Sequence, residues 1–381
     1  MREIIFHGKM PDPFLKEDGT RMTPDEWLKN KDAIRQKIVD IEYGGMPPRP
    51  EVVEIEYLNT FRRSTSDHAT GNFIRVRAGT PEKQLTFCIE LFVPIVKGIT
   101  PTPSSSPLSN EEKYPVILTG DGCYLNMTPD VISDILKKGF IAARFNRLEI
   151  AADSGCVRND GAIYSVYPGD YSAISAWAWG YMVCMDVFTK LSYTDETEVA
   201  ITGHSRGGKT VMLAAAVDER IKYVCPNNSG CHGANSYRCE VPAQEESPRR
   251  TETLNDMLNK FSSWTGLKLE AYRDCVDKLP YDMHYFGALI APRYYLQCEG
   301  MQDYWINPIG AWQNFMAVKE CYKYLGCEGN AGAWFRPGGH RHKEPDYAEF
   351  ISFIIRARNG QPLSEHLKLN PYPDVERNFE W

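Results

Sequence analysis

The sequence predicts an α/β protein with a mainly parallel twisted sheet and helices on both faces. Two observations carry this expectation. From YPVILTG at 114–120 onward, apolar strands alternate with helical stretches, and that order winds a parallel sheet covered on both sides. One strand–helix junction, VAITGHSRGGKTVMLAAA, also carries Gly203-His204-Ser205-Arg206-Gly207. An apolar strand before G-x-S-x-G and an Ala-rich helix after it mark the sharp turn on which an α/β-hydrolase exposes its serine. The expected fold is therefore an α/β-hydrolase.

The chain of 381 residues is 43% hydrophobic and 24% charged, enough for one large core. We read 1–381 as a single catalytic domain, with an N-terminal arm over 1–50 and an inserted cap or loop region over 231–285. In the arm, TPDEWLKNKDAIRQKIVDIEYGG places Trp27, Ile34, Ile38 and Ile41 near one helical face. Thr23 followed by Pro24, Asp25 and Glu26 is a helix start. Gly44 and Gly45, then Pro47 and Pro48, end it. Next, VVEIEYL, NFIRVRA and LTFCIELFVP alternate as strands and suggest an antiparallel entry to the sheet. ITPTPSSSPLSNEE at 99–112 reads as a surface loop.

Beyond it the strands are YPVILTG, FIAARFN, EVAITG, IKYVCPNNSG, IAPRYYLQC and AWFRP. The helices are MTPDVISDILKKG, DYSAISAWAWGYMVCMDVFTKL, GGKTVMLAAAVD, one from about Trp312 to Leu325, and DYAEFISFIIRAR. No internal repeat interrupts them.

Composition narrows the function classes. The net charge is −7 and no Lys/Arg run stands out, which argues against nucleic-acid binding. No segment reaches the roughly 18 apolar residues of a membrane span. None of the 11 cysteines forms a CxxC pair, so no zinc site is expected and most thiols are read as buried in a reducing compartment. MREIIFHGKMPDPF lacks the apolar stretch of a signal peptide, so a cytoplasmic location is expected, or secretion if a leader was removed. Aromatics at 12% suit stacking on sugars or plain core packing. Oligomeric state is left open.

Ser205 needs a general base, because a serine hydroxyl is a poor nucleophile alone. In this fold the chain order is Ser, acid, His. WFRPGGHRHKEPDYAEF supplies His340 after a strand and a Pro-Gly-Gly turn, with His342 as its rival. The spacing His-x-His could also suggest a metal pair, but no neighbouring acid-and-His set completes one. The acid follows IAPRYYLQC: Asp303 leads and Glu299 is second. The backbone N–H of Arg206 is expected to donate to the oxyanion.

GHSRGGK, AISAWAWG, NNSGCHGA, LPYDMHYFGALIAPR, DYWINPIG and RPGGH follow one another in the order found in the glucuronoyl esterases, carbohydrate esterase family fifteen. The chain resembles that family over nearly its whole length, including PDPFLKEDGTRMTPDEW and YGGMPP. The resemblance implies hydrolysis of esters between (4-O-methyl-)glucuronic acid and an alcohol, as in lignin–glucuronoxylan cross-links. It implies Ser205 as nucleophile and His340 as base, with the Arg206 side chain joining the oxyanion site. Lys209, Glu252 and Trp305 would hold the sugar; Trp177 and Trp179 are read as structural. The substrate is then a small or oligosaccharide uronate ester, with no cofactor and no metal. One departure stands out: Asn228 occupies the place where many members carry the catalytic glutamate. Other members look to use an aspartate after the IAPR strand, which Asp303 fits. The alternatives are an acetyl (xylan) esterase of the same fold, or a sugar-binding homologue weak in catalysis.

Overall fold

The computed structural model describes residues 3–62, 69–94, 113–245 and 247–381. The loop expected at 99–112 lies outside them. In chain order the first elements are β1 (Ile5–Phe6), α1 (Pro24–Tyr43), β2 (Val52–Arg62), β3 (Ala69–Gly79), β4 (Gln84–Pro94), β5 (Tyr114–Thr119), α2 (Pro129–Lys137) and β6 (Ile141–Phe145). They are followed by α3 (Ala162–Val166), α4 (Ala173–Phe188), β7 (Thr194–His204), α5 (Arg206–Val217), β8 (Tyr223–Asn227) and β9 (Cys239–Glu240). The chain closes with α6 (Leu254–Lys260), α7 (His284–Ile290), β10 (Tyr294–Gly300), α8 (Pro308–Tyr324), β11 (Ala331–Arg336) and α9 (Glu344–Arg358).

Nine strands form one sheet in the order β11-β10-β8-β7-β5-β6-β4-β3-β2. The six strands from β11 to β6 are parallel, while β4, β3 and β2 join antiparallel. The parallel half reads as continuous apolar sequence because both of its faces are covered. On one face Val131, Ile135, Leu136, Phe350, Ile351 and Ile354 of α2 and α9 pack on Ile117, Ala142, Ala200 and Leu296. On the other, α4, α5, α7 and α8 bury Trp177, Met212, Phe286 and Phe315 with Val116, Leu118 and Ile201.

The arm helix has the ends its sequence signals. Thr23 and Glu26 form a reciprocal capping box, and Gly44 ends the helix in the left-handed region at φ 75°. Trp27 and Tyr43 are wholly buried, so the arm is part of the core. Its Glu42 accepts from the hydroxyls of Tyr237 and Tyr281 at 2.5 Å each. This ties the arm to the 231–285 region, which consists of short helices, 3-10 turns and β9 paired with β1.

Several boundaries differ from expectation, among them β7, which starts at Thr194, and β8, which ends at Asn227; two others have a clear local cause. The strand read from IAPRYYLQC starts only at Tyr294, because α7 runs to Ile290 and Pro292 lacks the N–H that a ladder requires. Helix α8 starts at Pro308, not near Trp312; the Asn307 side chain caps it by accepting from Gly310 N.

Candidate active site

Ser205 lies between β7 and α5 with φ 57° and ψ −119°. A non-glycine residue is rarely held there, and the cost is of order 1–3 kcal/mol. The surroundings impose the turn. A Cβ on Gly203 would meet the Gly207 carbonyl oxygen at 2.4 Å, and one on Gly207 would meet Asp121 Oδ1 at 2.2 Å. Only glycine lets these backbones approach so closely. The Ser205 N–H donates to the Asn227 carbonyl at 2.9 Å, which ties the elbow to the next strand. The N-terminus of α5, beginning at Arg206, therefore faces the serine and favours negative charge there.

Asp121 supports the turn from below. Its Oδ2 accepts from His204 N at 2.7 Å. Its other oxygen pairs with Arg147, whose guanidinium lies 4.9 Å from the Trp177 ring centre. Both partners are buried, and burial pushes the Asp121 carboxyl above its ordinary range while Arg147 opposes the rise. Sequence reasoning missed this pair. The available signal was an acid straight after a buried strand, in LTGDG.

His340 and Asp303 come together: Nδ1 and Oδ2 are 2.6 Å apart. Asp303 is 7% exposed. The His340 ring packs 4.3 Å from that of His204, the residue before Ser205. His204 is neutral, its pKa lowered to about 4 by burial and then by His340. Its Nδ1 lies 2.7 Å from Asn227 Oδ1.

The two rival residues sit differently. His342 is 5% exposed and stacks on Tyr347 at 4.3 Å. Burial holds its pKa well below the usual value. Glu299 is wholly buried; Oε1 accepts from Gln297 Nε2 at 3.3 Å and Oε2 has no partner. Burial, then the nearby Asp303 charge, pushes its carboxyl well up.

The other expected residues cluster in two places. The Arg206 guanidinium pairs with Asp153 and lies 4.8 Å over Trp264, whose Nε1 donates to Asp153 at 3.1 Å. Its side chain is thus held beside the elbow, with its own N–H at the first position of α5. Lys209 is 2% exposed; its ammonium donates to the Ser229 carbonyl at 2.6 Å and to that of Cys231. Glu252 lies 3.6 Å from it and accepts from Cys231 N at 2.6 Å. Burial raises the Glu252 carboxyl, against the pull of Lys209. The Glu252 N–H donates to the Trp305 carbonyl at 2.8 Å. The half-buried Trp305 ring has Arg249 at 4.4 Å and Lys260 at 4.9 Å. Trp177 and Trp179 are buried, and each donates to a backbone carbonyl, of Ala151 and Pro48 respectively, at 2.8 Å.

Among the described residues no group of three or more His, Cys, Asp or Glu is arranged to hold a metal, and no helix is long and apolar enough to cross a membrane. All 11 cysteines are free, six of them buried.

A strained serine at a strand–helix elbow, an acid after β10 and a histidine after β11 define a hydrolase of the α/β-hydrolase class. A family model described as glucuronyl esterase of fungi matches residues 99–326. The chain belongs to the glucuronyl esterase family. It is 28% identical over 345 residues to a 4-O-methyl-glucuronoyl methylesterase of Phanerochaete carnosa, covering 88% of this chain and 77% of that one. It is 26% identical over 366 residues to one of Schizophyllum commune, covering 94% and 84%. In fold it matches a family fifteen glucuronoyl esterase from Caldicellulosiruptor kristjansonii, with TM-score 0.76, 24% identity and 98% of each chain covered. It also matches the Sporotrichum thermophile glucuronoyl esterase in complex with methyl 4-O-methyl-β-D-glucopyranuronate, with TM-score 0.74, 23% identity, and 97% and 94% covered.

Proposed function

We propose that this protein hydrolyses esters of glucuronic or 4-O-methyl-glucuronic acid through an acyl-enzyme formed on Ser205, with His340 as acid–base and Asp303 as its orienting carboxylate. The observation that carries the reading is the 2.6 Å pairing of His340 and Asp303 beside the strained elbow, in a member of this family. Asp303 accepts the Nδ1 proton of His340, which leaves Nε2 unprotonated to take the Ser205 proton. Ser205 then attacks the uronate carbonyl.

The negative oxygen that forms is met by the Arg206 N–H, the start of α5 and the Arg206 guanidinium. His340 gives its proton to the leaving alcohol. A water deprotonated by His340 then cleaves the acyl-enzyme. Lys209 and Glu252 shape the sugar side by fixing the backbone at 229–231, and Trp305 offers a ring to the pyranose. The wall cross-link between lignin alcohols and glucuronoxylan is the natural class of substrate for this chemistry. The mechanism calls on no cofactor.

Hydrolysis of methyl glucuronate alongside an acetyl ester tests the assignment. Preferential cleavage of the uronate ester supports it. Turnover of the acetyl ester alone would replace it with an acetyl esterase, and turnover of neither would favour a sugar-binding homologue.

A further inference from the structure

Arg336 ends β11 and is 2% exposed. Its Nε pairs with Asp346 of α9. Its two terminal nitrogens reach three further acceptors. Nη1 donates to the Gly339 carbonyl at 3.2 Å, and Nη2 to the Arg341 carbonyl at 2.6 Å. Those are the two residues on either side of His340. Nη2 also donates to Asn228 Oδ1 at 3.2 Å. A guanidinium has donors only, so the Asn228 amide must turn its oxygen to Arg336. Its NH2 group is thereby aimed at Asp303, and Nδ2 donates to Oδ2 at 2.7 Å. That oxygen is the one facing His340.

A second path starts from the same arginine. Asp346, held by Arg336, accepts from Asn227 Nδ2 at 3.2 Å. Asn227 Oδ1 in turn lies 2.7 Å from His204, against which His340 packs. One buried side chain thus pins the backbone on both flanks of His340, orients the amide that supports its carboxylate, and anchors the ring beneath it.

We propose that Arg336 is the positioning residue of the acid–base pair, acting on His340 through its flanking carbonyls and on Asp303 through Asn228. This rests on the reading of Ser205, His340 and Asp303 as the triad. Its consequence differs from that of a structural prop. A displaced His340 takes the Ser205 proton poorly for any ester and also protonates the departing oxygen poorly, and this second penalty depends on that oxygen. Methoxide needs the proton; 4-nitrophenolate leaves without it. Loss of folded enzyme would lower both rates equally.

The test compares kcat/KM for the methyl and 4-nitrophenyl esters of glucuronic acid in wild type, Arg336→Lys and Asn228→Ala, with Ser205→Ala as control. Lysine keeps a cation beside Asp346 but loses the fork. For Arg336→Lys the methyl ester should fall about 10²-fold, the scale of general acid–base catalysis, and the aryl ester about tenfold or less. Asn228→Ala leaves the Arg336–Asp346 pair intact and should widen the gap between the esters in the same sense. It carries the test alone if the lysine variant does not fold. Equal losses on both esters, or none, would overturn the role of Arg336 while leaving the triad in place. Retained hydrolysis by Ser205→Ala would overturn the triad reading itself.

Discussion

Asn228 Nδ2 donates to Asp303 Oδ2 at 2.7 Å, and the same oxygen lies 2.6 Å from His340 Nδ1. Asn228 stands where the family resemblance implies a glutamate. An amide there supplies no charge, but it feeds a hydrogen bond to a carboxylate on the neighbouring loop. Charge and support have been divided between two residues.

That division predicts a pH effect for Asn228→Asp. Two carboxyls about 2.7 Å apart, the observed N–O spacing, cannot both ionise easily, so the pair retains one proton above the usual carboxylate range. A folded pKa raised above the unfolded value gives stability that is lost as pH rises. Relative to wild type, the variant's melting temperature should fall as pH rises above the usual carboxylate range. Parallel profiles for the two proteins would contradict the shared proton.

Glu299 and Asp303 are separable by amide substitution. Burial pushes the Glu299 carboxyl well up, toward its neutral form. Glu299→Gln should keep kcat/KM within a few-fold, whereas Asp303→Asn should lose up to about 10⁴-fold, as when a triad acid becomes an amide. Stability adds a check. The Glu299 pKa is raised from 4.5, so wild-type stability declines as pH rises above that value. The melting temperature of Glu299→Gln should gain on wild type over the same range.

Three histidines with depressed pKa values, His284 and His342 buried and His204 half-buried, weaken the fold toward acid pH. His204 and His284 are lowered from 6.5 to about 4, and His342 falls well below its usual value, burial being the first cause in each. Each is neutral when folded and takes up a proton on unfolding below pH 6.5. The stability they contribute is full above 6.5 and lost as pH falls toward 4. Chemical denaturation across that window should show proton uptake, reduced in His342→Phe. The same variant should keep most activity, since His342 stacks on Tyr347 and its Nε2 lies 3.5 Å from Thr202 Oγ1, whereas Asp303 pairs with His340.

The Asp121–Arg147 pair makes a sharper stability prediction. Removing one partner leaves a buried, uncompensated charge at a cost of about 3–5 kcal/mol. Asp121→Ala should therefore melt far below wild type. It should also lose activity beyond its loss of folded protein, because the His204 N–H that fixes the elbow loses its acceptor. A small stability change would mean the pair is marginal to the turn.

Much of this site was legible in sequence because its signals are local. The serine announces itself by Gly203, Gly207 and a strand–helix change within a few residues. Thr23 and Gly44 mark the ends of α1 in the same way. Asp303 and His340 follow strands that the chain spells out. Asn307-Pro308 was equally local and should have set the start of α8. What could not be read is carried through space. Arg336 meets Asn228 across 108 positions, and Arg147 meets Asp121 across 26. No periodicity links such partners. Asn228 looked like a lost acid for that reason: its value lies in which neighbours its amide faces.

The most direct measurement is the hydrolysis of methyl 4-O-methyl-glucuronate by wild type and by Ser205→Ala, with folding checked by thermal melting. Wild type should turn the ester over, and a folded Ser205→Ala variant should lose several orders of magnitude in rate. Near-normal hydrolysis by that variant, or a wild type inert on the uronate ester, would contradict uronate ester hydrolysis through Ser205.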